Sequence, residues 1–223
     1  MDLIRQLEAF QPADHSNRRV DVIGAGATGS HIVYLLAKIG MENIHVWDYD
    51  HIESHNVPNQ LYGADQVGKL KVEALQEVIL SMTETDIVIH PEKVTGAQAL
   101  GEFVFLLVDT MEARKEIWEK GLKYKADKEL VIETRMGADS GRIYAINPLS
   151  PTHIKAWEGT LYDDDVATVS ACGSQVTVGP TATLISSMAV WQFMNYLNGD
   201  DIENEILVAT RPWTILGTKF QVI

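Results

Sequence analysis

The stretch Arg19-Val20-Asp21-Val22-Ile23-Gly24-Ala25-Gly26-Ala27-Thr28-Gly29-Ser30 decides the fold, together with Trp47-Asp48-Tyr49-Asp50 some twenty residues on. It reads as strand, glycine turn, helix, strand and acidic strand end. In this pattern Gly24 serves the tight turn, Gly26 lets backbone approach a phosphate, and Gly29 lets the helix lie close to the sheet. The helix start at Ala27 and Thr28 then offers free N–H groups and a positive dipole end to an anion. A nucleotide is expected. Whether it is NAD or ATP depends on residues further along.

Working outward, the expected fold class is α/β: a Rossmann-like, doubly wound, mostly parallel sheet with antiparallel C-terminal strands. At 223 residues the whole chain, 1–223, is expected to be one domain. A hydrophobic content of 46% with 22% charged residues excludes disordered and fibrous classes. The formal net charge of −13, with no Lys/Arg-rich run, argues against nucleic acid as a partner. The single cysteine, Cys172, excludes an intrachain disulfide framework and a multi-cysteine zinc site, so no zinc is expected. Met1-Asp2-Leu3-Ile4-Arg5 carries acid where a signal peptide wants base and is followed by no apolar h-region, and no 18-residue apolar run occurs. A cytoplasmic protein without membrane contact is expected.

Along the chain, Leu3, Leu7 and Phe10 fall at helical spacing, predicting a short amphipathic helix within residues 1–17. His51 to Gly68 is a long polar loop, of the length usually kept for a site. Val72, Leu75, Val78 and Ile79 predict a second crossover helix, and Asp86 to His90 a third strand. Phe103 to Val108 is a continuous apolar run ending at Asp109, as in a parallel strand buried on both faces. Ligands sit beyond the carboxyl ends of such strands, which places Asp109 at the site. A helix over 111–123 and strands at Leu130–Ile132 and Gly141–Ile146 continue the alternation. Pro148 to Ser174 shows no period and is expected to be a crossover loop over the nucleotide, its acidic run Asp163-Asp164-Asp165 a solvated tip. Val176 to Leu197 predicts a long helix with Thr181, Leu184, Ile185, Met188, Trp191 and Met194 on one face, followed by closing strands at Ile206–Ala209 and Trp213–Leu216.

For NAD one strand-end acid, Asp48, suffices. The sequence supplies more: Asp50, Asn56, Gln60, Lys69 or Lys71, and Asp109 all fall at loop or helix starts on one edge of the sheet. A basic residue, a strand-end acid and amides suit a triphosphate with a divalent ion.

In order and approximate spacing, five motifs resemble the ThiF/MoeB adenylyltransferases and the related ubiquitin-activating enzymes. They are Gly24-x-Gly26-x-x-Gly29-Ser30, Asp48-x-Asp50-x-Ile52, Ser54-x-Asn56-x-x-x-Gln60, Gly68-Lys69-Leu70-Lys71 and Asp109-x-x-x-x-Arg114. Cys172 to Pro180 resembles the same family, and the likeness covers roughly residues 18 to 198. The resemblance implies adenylation, in which the C-terminal carboxylate of a ubiquitin-like or sulfur-carrier protein attacks the α-phosphate of ATP and pyrophosphate leaves. It implies that Asp48 holds the ribose, supported by Asp50, that Lys71 and Asn56 contact phosphates, and that Asp109 ligates Mg²⁺. Gly24, Gly26, Ala27, Thr28, Gly29, Asn59, Gln60 and Lys69 fall in the matched ATP-contacting segments. With the apolar terminal helices, it also implies a homodimer.

One departure stands out. Where the family commonly has Asn-Arg-Gln, this chain has Pro58-Asn59-Gln60, leaving Arg18, Arg19 or Arg114 as candidate replacements for the missing arginine. Several site residues also have a plainer reading: Asp48 as a turn cap, Asp109 as a helix cap, Lys69 or Lys71 as a solvated first-turn residue, Asn59 and Gln60 as loop organisers. For Cys172 a transfer thiol and a buried filler both stay open. A catalytically degenerate nucleotide-binding module is the alternative reading. An NAD-dependent oxidoreductase lacks a hydride-transfer constellation and ranks last.

Overall fold

The computed structural model describes residues 1–163 and 177–221. Eight strands form one sheet: β1 (Val20–Ile23), β2 (Ile44–Trp47), β3 (Val88–His90), β4 (Phe103–Leu106), β5 (Leu130–Met136), β6 (Ser140–Ile146), β7 (Glu205–Thr210) and β8 (Trp213–Thr218). Their order is β3-β2-β1-β4-β5-β6-β7-β8. The first five run parallel and the last three join antiparallel. The described residues hold five α-helices, α1 (Ala27–Lys38), α2 (Lys71–Thr83), α3 (Met111–Ile117), α4 (Pro151–Glu158) and α5 (Gly179–Asn198), with a π-helical turn at Trp118–Leu122 continuing α3.

β1 and β4 are buried along their whole length, which their apolar runs require of strands covered on both faces. Alternate side chains divide between two cores. Val20, Val22, Phe103 and Phe105 pack with Ile32, Leu36, Leu75, Ile185 and Phe193 of α1, α2 and α5. Ile23, Val104 and Leu106 pack on the other face with Trp118 and Trp157. From β1 the chain winds outward to β2 and β3, then returns to begin the other half at β4. The winding therefore reverses between β1 and β4, and their carboxyl ends frame a crevice.

Three expectations are corrected. No α-helix forms within residues 1–17; residues 4–9 are consecutive turns and Pro12–Asp14 a single 3-10 turn. The turns close on near neighbours, as in Gln6 N–H to Leu3 O at 3.0 Å. A segment this short holds no helix on its own, and burying Phe10, 1% exposed, anchors it instead. The expected loop of 148–174 begins as helix α4, capped by the Ser150 hydroxyl on the His153 N–H with Pro151 in its first turn. Its Ile154 and Trp157 are buried. α5 starts three residues later than expected, at Gly179; of the face expected to serve core or dimer packing, Thr181, Ile185 and Met194 are buried and Trp191 is 53% exposed.

Candidate functional site

The site grows from the end of β1. Gly24 has φ +102°, in the left-handed region, and a Cβ there would sit 2.9 Å from Leu107 O. Gly29 lies so close to the turn that a Cβ would approach Gly24 O to 1.9 Å. Around Gly26 the opposite holds, with no atom within 4 Å of a Cβ position. The turn is thus tight on two sides and open on the third, where α1 begins without a side-chain cap. Uncapped first-turn N–H groups facing open space suit an anion.

Asp48 ties this turn to the end of β2. Its Oδ2 accepts the Ala25 N–H at 2.7 Å and its Oδ1 accepts the Asp50 N–H at 2.8 Å. Burial raises the Asp48 pKa above the usual carboxylate value, opposed by the charge of Lys71 and by the two N–H donors. Lys71, buried at the start of α2, donates from Nζ to Asp50 Oδ2 at 2.9 Å, and its backbone N–H reaches Asp50 O at 2.9 Å. The Tyr62 hydroxyl donates to Ala25 O at 2.7 Å and closes the corner from behind. A buried ammonium, two carboxylates and the open glycine turn therefore share one place.

The other predicted residues divide. Lys69 is directed elsewhere: its ammonium pairs with Glu77 at 2.7 Å on the exposed side of α2. Asn56 is buried, and its Oδ1 accepts the Glu53 N–H at 2.9 Å while its carbonyl receives the N–H groups of Asn59 and Gln60. The Asn59 amide donates to the Thr177 hydroxyl, and Asn59 Oδ1 and Gln60 Oε1 are buried with no hydrogen-bond partner among the described residues. Asp109 is exposed just beyond β4, and Thr110 caps α3 by accepting the Ala113 N–H at 3.3 Å. Thr28 meets Thr134 hydroxyl to hydroxyl at 3.2 Å. Cys172 lies outside the described residues.

The three candidate arginines also separate. Arg18 pairs with Glu102 and Glu129, and Arg19 with Asp21, beside the amino end of β1 and away from the glycine turn. Arg114 alone is at the carboxyl ends, donating to Thr134 O at 2.9 Å and paired with Glu133. Glu133 is fully buried and also accepts from Arg135 Nε and Trp157 Nε1, each at 3.1 Å. Arg135 reaches on to Thr160, donating to its carbonyl at 2.8 Å and its hydroxyl at 2.9 Å. Neither Glu133 nor Tyr62 was among the sequence candidates. A charge directly after the apolar run Leu130-Val131-Ile132 is the signal that marks Glu133.

The profile of the ThiF family matches residues 5–222. The chain belongs to the ThiF family. It is 35% identical over 105 residues to the NEDD8-activating enzyme E1 catalytic subunit of Arabidopsis thaliana, covering 44% of this chain and 23% of that one. Ubiquitin-like modifier-activating enzyme 5 of Caenorhabditis briggsae is 27% identical over 105 residues, 47% of this chain and 23% of that one. The chain thus spans about a quarter of the curated relatives it matches. Among solved structures, Microcin C7 biosynthetic enzyme MccB in complex with N-formylated MccA superposes with a TM-score of 0.75 at 15% identity, over 93% of this chain and 66% of that one. Escherichia coli MccB with ATP gives 0.70 at 15% identity over 93% and 65%. These likenesses show a shared ThiF-type fold. No described helix is long and apolar enough to cross a membrane.

Proposed function

We propose that this protein is an ATP-dependent adenylyltransferase that activates the C-terminal carboxylate of a ubiquitin-like or sulfur-carrier protein as an acyl-adenylate. The observation that carries the reading is the corner of Asp48, Asp50 and Lys71 set against the glycine turn. A triphosphate carries more negative charge than the diphosphate of a nicotinamide dinucleotide and makes the fuller use of the buried ammonium. Family membership and the ATP-bound neighbour MccB support it.

On this reading Asp48 accepts from the ribose, the turn at Gly24, Gly26, Ala27, Thr28 and Gly29 receives phosphate on backbone N–H groups, and Lys71 neutralises phosphate charge. The carrier's carboxylate oxygen attacks the α-phosphorus, the bond to the bridging oxygen breaks, and pyrophosphate leaves with the electron pair. The protein's part is positioning and charge neutralisation. Asp109 fits Mg²⁺, which takes one or two carboxylates with phosphate and water oxygens around it. Among the described residues no cluster of three His, Cys, Asp or Glu could hold an ion alone. When bound, Mg²⁺ supplies further charge neutralisation on the phosphates. The unit 1–223 as one domain, its cytoplasmic location and a homodimer belong to the same proposal.

Incubation with ATP, Mg²⁺ and a small carrier ending in Gly-Gly should exchange labelled pyrophosphate into ATP, and Lys71→Ala should abolish the exchange. Absence of both exchange and ATP binding overturns the reading. A second reading, a nucleotide-binding module without catalysis, is favoured by Asn59, which stands where the family has arginine and donates to Thr177. ATP binding without exchange for any carrier selects it.

A further inference from the structure

On the face of the sheet opposite α1, at the β3 edge, two histidines meet. His45 Nδ1 and His90 Nε2 are 3.0 Å apart, and His90 stacks on Trp47 with ring centroids 3.6 Å apart and planes 9° from parallel. Their protons can be assigned from the neighbours. Asn43 Nδ2 donates to Asn17 O at 3.1 Å, which turns Asn43 Oδ1 toward His45 Nε2 at 3.2 Å. His45 Nε2 therefore carries the hydrogen and His45 Nδ1 is an acceptor. The hydrogen between the rings then belongs to His90 Nε2. At neutral pH the chain of donors is complete.

This pair is linked to the nucleotide corner by one residue. Trp47, held between His90 and Asp21, directly precedes Asp48, and the Asp48 N–H donates to His90 O at 3.2 Å. β3 itself is three residues long and lies at the edge of the sheet, bound only to β2. So short an edge strand is weakly held.

We propose that His45 and His90 are positioning residues for Asp48, forming a proton-sensitive latch that releases β3 and weakens nucleoside binding in acid. The proposal rests on the reading of Asp48 as the ribose contact. The pair takes one extra proton without parting, on His90 Nδ1 directly or on His45 Nδ1 with a switch of the His90 tautomer. A second sets N–H against N–H at the same short separation, and the rings must part. Burial holds both imidazoles below their usual pKa, and the guanidinium of Arg19 adds to this. Asp21 acts against it on both rings, and Glu92 on His90. Asp21 is already engaged by Arg19, Trp47 and the Gly101 N–H.

Because the folded pKa values lie below that of a free imidazole, the latch is fully favoured above about pH 6.5 and loses stability as pH falls through that value. At pH 5.5, one imidazole that stays neutral only while latched multiplies the opening equilibrium about ten-fold.

Hydrogen exchange at the Asp48 amide, corrected for intrinsic rate, reads this opening without nucleotide. Its protection is expected to fall about ten-fold between pH 7.5 and 5.5. Adenosine, which carries the ribose and no titrating phosphate, should lose affinity by up to the same factor. His90→Gln keeps an N–H toward His45 and takes no proton, so both changes should shrink to about two-fold or less. His90→Phe, which keeps the stack on Trp47, is the second variant with no proton site at position 90. Flat protection in the wild type, or a fall in both variants equal to that of the wild type, overturns the latch. Protection that follows expectation without adenosine binding at either pH leaves the latch standing and removes the ribose reading of Asp48.

Discussion

The parallel and antiparallel halves of the sheet differ in what their strand ends can do. In β1 to β5 every strand points the same way, so Gly24, Asp48, Asp109 and Thr134 gather on or near one rim. In β6 to β8 successive strands reverse, and the outer strand leaves Trp213, Ile215 and Leu216 exposed at 73%, 58% and 55%. The parallel half needs cover on both faces and returns a shared rim; the antiparallel half turns tightly from β5 to β6 and from β7 to β8, with α4 and α5 lying between β6 and β7 in the chain. Polarity of the strands, more than composition, decides where chemistry collects.

The largest way to break this comparison is to fill the rim's tightest point. Gly29→Val should cost more than about 4 kcal/mol in urea unfolding, since the helix has no room to retreat from the turn. A loss below about 1 kcal/mol would sink the close-packing argument. Next is Lys71→Ala, which leaves Asp48 and Asp50 without their cation; ATP affinity by calorimetry should fall about 100-fold. An affinity within a factor of three would remove Lys71 from the site. Asp109→Asn should lower Mg²⁺-dependent pyrophosphate exchange by at least about ten-fold and change stability by less than about 0.5 kcal/mol, because the residue is exposed and Thr110 supplies the cap. The smallest effect belongs to the other half: Ile215→Thr on β8 should shift stability by no more than about 0.5 kcal/mol and leave exchange unchanged. Lost exchange there would mean that the halves are not divided in function.

Local patterns carried most of the fold. The glycine turn, the apolar run into Asp109 and the strand-end acid Asp48 are each set by spacing within a few residues, and each is found where spacing places it. The N-terminal turns show the limit of such reading. Leu3, Leu7 and Phe10 match a helix, yet the segment's task is to seat Phe10 in a core built by residues far along the chain. α4 carried its own Ser150-Pro151 start signal, hidden because its buried face is only Ile154 and Trp157. Which lysine enters the corner follows from the helix beginning at Lys71, after the bridge between His51 and Leu70 fixes the approach. Contacts made through crossovers were illegible: His45 with His90, and Arg114 with Glu133, meet only once the sheet is wound.

The buried Glu133 lies where the parallel half meets the antiparallel one, and its three partners restrict how this sequence can drift. Replacing Glu133 removes the carboxylate that pairs with both Arg114 and Arg135, and replacing either arginine leaves the buried carboxylate short of a donor. Each single step costs about 3–5 kcal/mol, whereas a simultaneous exchange for apolar residues of similar volume need cost nothing. Neighbouring genotypes are therefore separated by a valley that point mutation crosses poorly. Descendants of this chain will tend to inherit the junction whole, while residues along the exposed edge of β8 change freely around it.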